Sequence, residues 1–493
     1  MTAARSNRIV PADAASLRHD WPTVVESLMS KDVTARSWPM RWPTDPRWLA
    51  LAALDVLKES PIDCLIVPWS PAGPDLRPFL GEAGRRGMAL VALLPASADP
   101  AAALAAGFDA VTSSEAGQKR IPWTTRSAMP YSSTAPVLAA TDNVWPSVKA
   151  NRVEGWAGGA GAAAFEAGPT GVPWVDSNGY FIQMARALAP EKGIWIVADA
   201  PDKINGSRAE AYALAVADAV VYSGRWVLAL DDAFAAELIT GAGSGPADWK
   251  HVVESLRLFA AHQEWSAYRP FGCVGIVSDF RGDNEFLSGE TLNLISRRHV
   301  PFKVLEKSKL RDDSFAGLKA IIYADGDLPD AALRKRFLAF TQAGGLLICP
   351  KSSASLASGP GVPDAHGRFA VTKLGSGRIA IATDDQIDPF LYVVDSHIML
   401  GRRHDLVRIW NPGAANSYYA GSPDSRKGLL QIISYTRRPV ADMSVQLSMP
   451  WSSARFVTSG AADAAPLKPI KKSDAVEFNL PSFTVYCALE LEK

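Results

Sequence analysis

Histidine is scarce in this chain, with seven in 493 residues and neither an HExxH motif nor a clustered pair. Catalytic zinc sites draw on such groupings, so no metal centre is expected. Cysteine is scarcer still. Cys64, Cys273, Cys349 and Cys487 lie far apart, each in an apolar strand-like run, and no CxxC spacing occurs. They are expected to be buried free thiols. Neither sign of charge is in excess, since Lys+Arg and Asp+Glu each number 51, which argues against a nucleic-acid or anionic-membrane partner. No apolar run reaches the ~18–20 residues that cross a bilayer. The N-terminal stretch has no charged segment leading into an apolar one, so no export signal is expected and the compartment is left open. Gly-rich phosphate loops of the P-loop or GxGxxG type are also missing, so no nucleotide cofactor is expected.

Tryptophan, by contrast, is abundant. Of 15 in the chain, 13 precede residue 270. Large aromatic faces fill cores, and they also stack on the apolar faces of sugar rings. A single core seldom grows beyond ~250–300 residues, so a chain of this length should hold several domains.

Residues 30–265 alternate apolar strand-like runs with amphipathic helical patterns. Strands are expected at Thr34–Trp38, Cys64–Trp69, Ala89–Leu94, Asp109–Thr112, Val137–Thr141, Ala162–Phe165, Ile194–Ala198 and Trp226–Leu230. Helices are expected at Pro46–Lys58, Pro78–Arg86, Gly179–Leu188, Ser207–Tyr222 and Ala247–His262. Continuous apolar strands between helices imply a parallel sheet covered by helices, and eight such units match a (β/α)8 TIM barrel. The expected fold is therefore α/β, with the barrel spanning 1–267. Glu115–Pro136 shows no clear helix, so the fourth unit is irregular.

At Tyr268 the pattern changes. PFGCVGIVSDFRGDNEFLSGETLNLISRRHVPFKVLE reads as strand, loop, helix, strand, and LKAIIYADGDLPDAALRKRFLAFTQAGGLLICP as strand, turn, helix, Gly-Gly, strand. This is an open α/β unit, assigned to 268–403. A hairpin is expected through RFAVTKLGSGRIAIA, turning at Gly375-Ser376-Gly377, while Asp384–Arg403 has less regular character. From 404 to 493 the runs LVRIW, LLQIISY, SVQLSM, ARFVTS, AVEFNL and FTVYCALELE alternate as short strands, which implies a small antiparallel β-sandwich.

Leu318–Pro350, with Ala343-Gly344-Gly345 before LLIC, resembles the glutamine-amidotransferase-like domain that follows the barrel in family 42 β-galactosidases. The order of barrel, amidotransferase-like domain and sandwich resembles the plan of those glycoside hydrolases. The turn after Ile321–Ala324 carries Asp325, Gly326 and Asp327, not a cysteine nucleophile, so the middle domain is expected to be non-catalytic. The resemblance implies a carbohydrate substrate and homo-oligomer contacts through that domain. In the family the acid/base follows strand four in an Asn-Glu pair, and the nucleophile after strand seven is Glu. Here Glu115 follows Ser113-Ser114 and strand seven ends on Asp199 in IVADAP.

The site is therefore read from local chemistry. Barrel sites collect at the carboxyl ends of strands, and glycoside hydrolysis needs two carboxyl groups flanking one bond. Glu166, closing an apolar run in GAAAFEAGPTGVPWVDSN, is the candidate acid/base, because partial desolvation raises a carboxyl pKa. Its alternative is a salt bridge to Arg41 or Arg126. Asp199 is the candidate nucleophile or base, its alternative being to cap the loop ahead of Ser207, and Asp142 and Asp231 are alternates. Trp38, Trp42, Trp69, Trp145 and Trp174 are candidates to stack on sugar rings, or else close the top of the core. Asp176 and Asn178 are candidates to bind hydroxyl groups, and Arg41 is a further candidate for substrate binding.

Overall fold

The computed structural model describes residues 23–24, 37–95, 98–113, 119–120, 127–128, 137–140, 143–149, 174–190, 192–385, 388–401, 404–461 and 464–493. It is a mixed α/β structure. Its first part contains β1 (Pro39–Arg41), β2 (Cys64–Pro68), β3 (Ala89–Leu94), β4 (Ala110–Ser113), β5 (Val137–Ala140), β6 (Gly193–Ile196), β7 (Arg225–Trp226) and β8 (Leu228–Ala229). β8 pairs in parallel with β1, which is followed by β2, β3 and β4 in turn. β5, β6 and β7 are likewise parallel. β7 and β8 are separated only by Val227, so one chain segment joins the two sheets. The N–H of Val227 also bonds Ile196.

Alternation along these strands sorts their side chains into two sets, because successive residues point to opposite faces. Cys64, Ile66, Ala89, Val91, Ala110, Val137, Ala139, Trp195, Val197, Val227 and Ala229 pack into one buried cluster. Their neighbours Leu65, Val67, Leu90, Ala92, Leu138, Ile194, Ile196 and Leu228 belong to the larger core shared with the helices. Those helices are α1 (Arg77–Arg85), α2 (Pro100–Ala105), α3 (Gly179–Leu188), α4 (Arg208–Val220), α5 (Asp232–Thr240) and α6 (Gly245–Ala261). Segment 46–57 forms two short 3₁₀ turns where a helix is expected from sequence.

The order of strands corrects one expectation. β5 pairs directly with β6, from Val137↔Gly193 to Ala140↔Ile196. They are thus adjacent where the sequence reading puts a further strand, Ala162–Phe165, between them, and those residues fall outside the described ones. The first strand is also displaced. It begins at Pro39, beyond Trp38, because the partner strand sets the register with Pro39 opposite Cys64.

The second part is a sheet in the order β10 (Phe302–Glu306), β9 (Val274–Ser278), β11 (Ala320–Tyr323), β12 (Leu346–Cys349), β14 (Gly377–Ala382), β13 (Phe369–Leu374). The first five are parallel, and β13 turns back on β14 as the expected hairpin. Helices α7 (Asn284–Arg297) and α8 (Ala331–Gln342) connect them. A helix α9 (Pro389–Leu400) forms where the sequence looked irregular, with Asp388 accepting from Phe390 N and Pro389 in its first turn. Cys349 is fully buried within β12, and burial pushes its thiol pKa up, so it is a core residue with no nucleophilic character.

The third part has two antiparallel sheets enclosing a shared core that includes Leu430, Val445, Phe456, Phe478 and Leu489. One contains β16 (Ala415–Gly421), β17 (Lys427–Ser434), β19 (Ser453–Thr458) and β21 (Tyr486–Glu492). The other contains β15 (Val407–Trp410), β18 (Ser444–Leu447) and β20 (Val476–Asn479). β16 was not legible as a strand. Arg269–Pro270 adds itself to the edge of β16, so the start of the second part is stitched into the sheet of the third.

All four cysteines are free and buried. Among the described residues, no helix is long and apolar enough to cross a membrane.

Candidate functional site

The alternation that builds this buried cluster of strand residues continues past the strand ends. On β6 it runs Trp195, Val197 and then Asp199, and on β7–β8 it runs Val227, Ala229 and then Asp231. Parallel strands place these positions at one edge, and β1 delivers Arg41 to the same edge as its last residue. Arg41 Nη2 lies 2.5 Å from Asp199 Oδ1, and each side chain is 27% exposed. The pair is open to solvent yet partly desolvated. Burial pushes the Arg41 guanidinium down from its ordinary range, opposed first by Asp199 and more weakly by Tyr212 and Asp232. Asp199 thus has a cation for a partner. The loop ahead of α4 is capped by Ser207 itself, whose Oγ accepts from Glu210 N at 3.2 Å.

Asp231 is committed to structure. It is the N-cap of α5, with Oδ1 accepting from Phe234 N at 2.9 Å. Tyr212 on α4 donates to its Oδ2 at 3.0 Å, and the Asp231 N–H donates back to the tyrosine oxygen at 2.8 Å. Burial first, and Asp231 second, push the Tyr212 phenol well above its usual range. Beside this lock lies a cleft of about 470 Å³ lined by the 201–208 loop, Asp231, Glu237, Ser244 and Asp248. Arg208 spans its wall, 2.5 Å from Glu237 and 2.8 Å from Asp248.

The tryptophans divide sharply. Trp38 sits at the opposite end of the strands, ahead of β1, with the Arg225 guanidinium 4.4 Å from its ring centroid. Trp42 follows β1 but is 1% exposed, edge-on to Trp48, and donates its indole N–H to Trp48 O at 2.9 Å. Neither reaches solvent, so both are corrected from sugar-stacking candidates to core. Trp69 and Trp145 are half-buried, Trp69 edge-on to Phe108 and Trp145 wedged against Tyr212 and Trp226. These two remain partly exposed after the ends of β2 and β5.

Asn178 is a second correction. It is fully buried, its Oδ1 accepts from Val144 N at 3.2 Å, and its Nδ2 donates to Val144 O at 2.8 Å and to Asp218 Oδ2 at 3.2 Å. The amide braces a loop and offers nothing to a ligand. The same network holds α3 close to α4. A Cβ at Gly179 would lie 2.2 Å from the Tyr222 ring, so only glycine fits there. Asp176 is half-buried and accepts from Ser147 Oγ at 3.4 Å. Glu166, Asp142 and the side chain of Trp174 lie outside the described residues.

Among the described residues, two groups of carboxylates and histidines stand close enough to share a cation, His262–Glu264–Glu490 and Asp364–His366–Asp395. Neither contains a rim residue. In the second, Arg368 already donates to both Asp395 oxygens, which neutralises that carboxylate without an ion.

No family model matches the sequence, and no curated protein matches it significantly. The structure is similar to those of several glycoside hydrolases. An α-L-fucosidase from Paenibacillus thiaminolyticus matches with a TM-score of 0.42 and 11% identity over 61% of this chain and 60% of that one. A cold-adapted β-galactosidase from Rahnella sp. matches with a TM-score of 0.43 and 10% identity over 64% and 57%. A rhamnosidase from Novosphingobium sp. matches with a TM-score of 0.42 and 10% identity over 63% and 32%. This chain therefore spans about three-fifths or less of the solved structures it matches. At such identities the likeness assigns no residue a role.

Proposed function

We propose that the protein acts on carbohydrate as a glycoside hydrolase-like enzyme, with its site at the carboxyl end of a barrel formed by the first strand system. The domains are read as barrel to 267, amidotransferase-like unit at 268–403 and terminal sandwich from 404. The observation that carries the reading is the Arg41–Asp199 pair, a solvent-accessible carboxylate held by a cation above the inward-facing strand residues. The guanidinium fixes the position of a carboxylate that a ligand can still reach, as a nucleophile or base requires. Glu166, which ends an apolar run, is assigned the acid/base role on sequence grounds. Trp69 and Trp145 supply aromatic surface.

A second reading, a carbohydrate-binding protein without hydrolase activity, is favoured by one observation. Both described rim acids among the catalytic candidates are engaged, Asp199 by Arg41 and Asp231 by Tyr212 and the helix cap. Assay of a panel of aryl glycosides and polysaccharides with wild type, Asp199→Asn and Glu166→Gln separates the two. Loss of about 10²–10⁴-fold in kcat for either variant, with ligand affinity kept, supports the enzyme. Turnover that survives both substitutions overturns the site. Binding without turnover in the wild type supports the second reading.

A further inference from the structure

Where the second part meets the third stands a cation with no counter-ion among the described residues. Helix α7 ends at Arg297, and Arg298 caps it with backbone angles near −93° and 7°. His299 then takes a left-handed φ of 55°, turning the chain toward β10. Its ring Nδ1 lies 3.0 Å from Ser417 Oγ on β16, and burial, with Arg298 second, pushes its pKa down to about 4, so the imidazole is neutral at physiological pH. No compensating charge comes from that side.

Arg298 is half-buried, and its Nε is enclosed with no hydrogen-bond partner among the described residues. Its pKa is lowered by burial, with no carboxylate opposing the shift. Asp405, which lines the same cleft, is already committed to His397 Nε2 at 2.9 Å and to Arg408 Nε at 3.1 Å. Desolvating a charge is costly unless something pairs with it. An unpaired guanidinium in a cleft is therefore a stored affinity for an anion, and its planar fork matches a carboxylate.

Arg298 lines a cleft of about 290 Å³ together with His397, Asp405, Arg408, Ile409 and Trp410. That volume is at the small end of ligand pockets, which excludes a dinucleotide and suits a single ring. Trp410 ends β15 and is 42% exposed, a large aromatic surface left in water beside the cation.

We propose that this cleft binds an acidic pyranose, a uronic acid unit, with its carboxylate on Arg298 and its ring face against the Trp410 indole. The anion half of this inference stands alone, whereas the choice of a sugar rests on the carbohydrate reading of the rim. Isothermal titration with glucuronate, galacturonate, their neutral parent sugars and inorganic phosphate tests it on the full chain. The uronates should bind about tenfold or more tightly than the neutral sugars. Arg298→Met should cost about tenfold or more, Arg298→Lys should keep part of the affinity, and Trp410→Ala should weaken uronate without weakening phosphate. Asp199→Asn should leave uronate binding unchanged, so failure at the rim is separable from failure here. Equal affinity for acidic and neutral sugars, wild-type affinity in Arg298→Met, or phosphate binding as tightly as uronate with Trp410→Ala silent would each overturn the proposal.

Discussion

Arg41 and Asp199 are 158 positions apart in sequence and 2.5 Å apart in space. One ends a strand and the other follows a strand, and β7–β8 lies between those strands in the sheet order. The pair thus ties together two strands that each pair with the β7–β8 segment. Replacing Asp199 with Asn removes the counter-charge from a partly buried guanidinium. A loss of about 1–3 kcal/mol is expected, read as a lower urea midpoint. Arg41→Met with Asp199→Asn together should be less destabilised than the sum of the two single variants.

Asp218 links the first and third parts and is buried with no cation among its described partners. It accepts from Ser177 Oγ at 2.6 Å, Asn178 N at 2.8 Å and Tyr435 OH at 2.6 Å. Burial, the largest cause, raises its pKa above the ordinary carboxylate range, against those hydrogen bonds. The folded state therefore binds this proton more tightly than the unfolded state does. The associated stability is complete below about pH 4, the unfolded value, and is lost as pH rises through the folded pKa. Tyr222 lies alongside, its phenol also pushed up by burial and by Asp218, so it stays neutral in that window. Tyr435→Phe removes a donor to the carboxylate, raises its folded pKa further and should carry the pH-dependent loss of stability to higher pH, measured by urea unfolding at each pH. An unchanged pH profile would remove Asp218 as the source.

Trp42 and Trp69 should respond oppositely to truncation. Trp42→Ala opens a cavity beside Trp48 and Phe79, with an expected cost of about 3–5 kcal/mol. Trp69→Ala, half-buried at the rim, should cost markedly less stability and instead weaken glycan binding. Thermal unfolding and affinity electrophoresis on the same two variants make the comparison.

Thiol titration checks the four buried cysteines. Native protein should react slowly with an aromatic disulfide reagent, because burial raises the thiol pKa values of Cys64, Cys273, Cys349 and Cys487 and hides the sulfurs. All four should react at once in denaturant. Rapid native reaction at Cys349 would contradict its place inside β12.

Hydrophobic runs made much of the architecture readable. Cys64–Pro68 and Ala89–Leu94 are almost unbroken apolar segments, and they form the strands their composition demands. Helix α3 occupies the expected Gly179–Leu188. Failures came where a distant partner decides. Ala415–Gly421, with Asn, Ser and Gly among its residues, is a strand because β17 pairs along its whole length. The Asp388-Pro389 signal at the head of α9 was present in the sequence and outweighed by the irregular composition around it. At the rim, sequence located the strand ends but not which side chains turn inward. Asn178 looked like a ligand-binding amide, yet Val144 and Asp218 consume it. Asp199, named from its place after a strand, is also reached by period-two counting from Trp195 and Val197. Nothing local could have named Arg41 as its partner.

The side chain of Gln431 on β17 donates to Val221 O, 210 residues earlier, and Tyr435 reaches Asp218 across a similar span. Those contacts have a consequence during synthesis. At about 5–20 residues per second, the interior surface at the end of α4 waits roughly 10–40 s for its cover to emerge from the ribosome. Nascent chains cut short before residue 427 should therefore be the ones that chaperones retain.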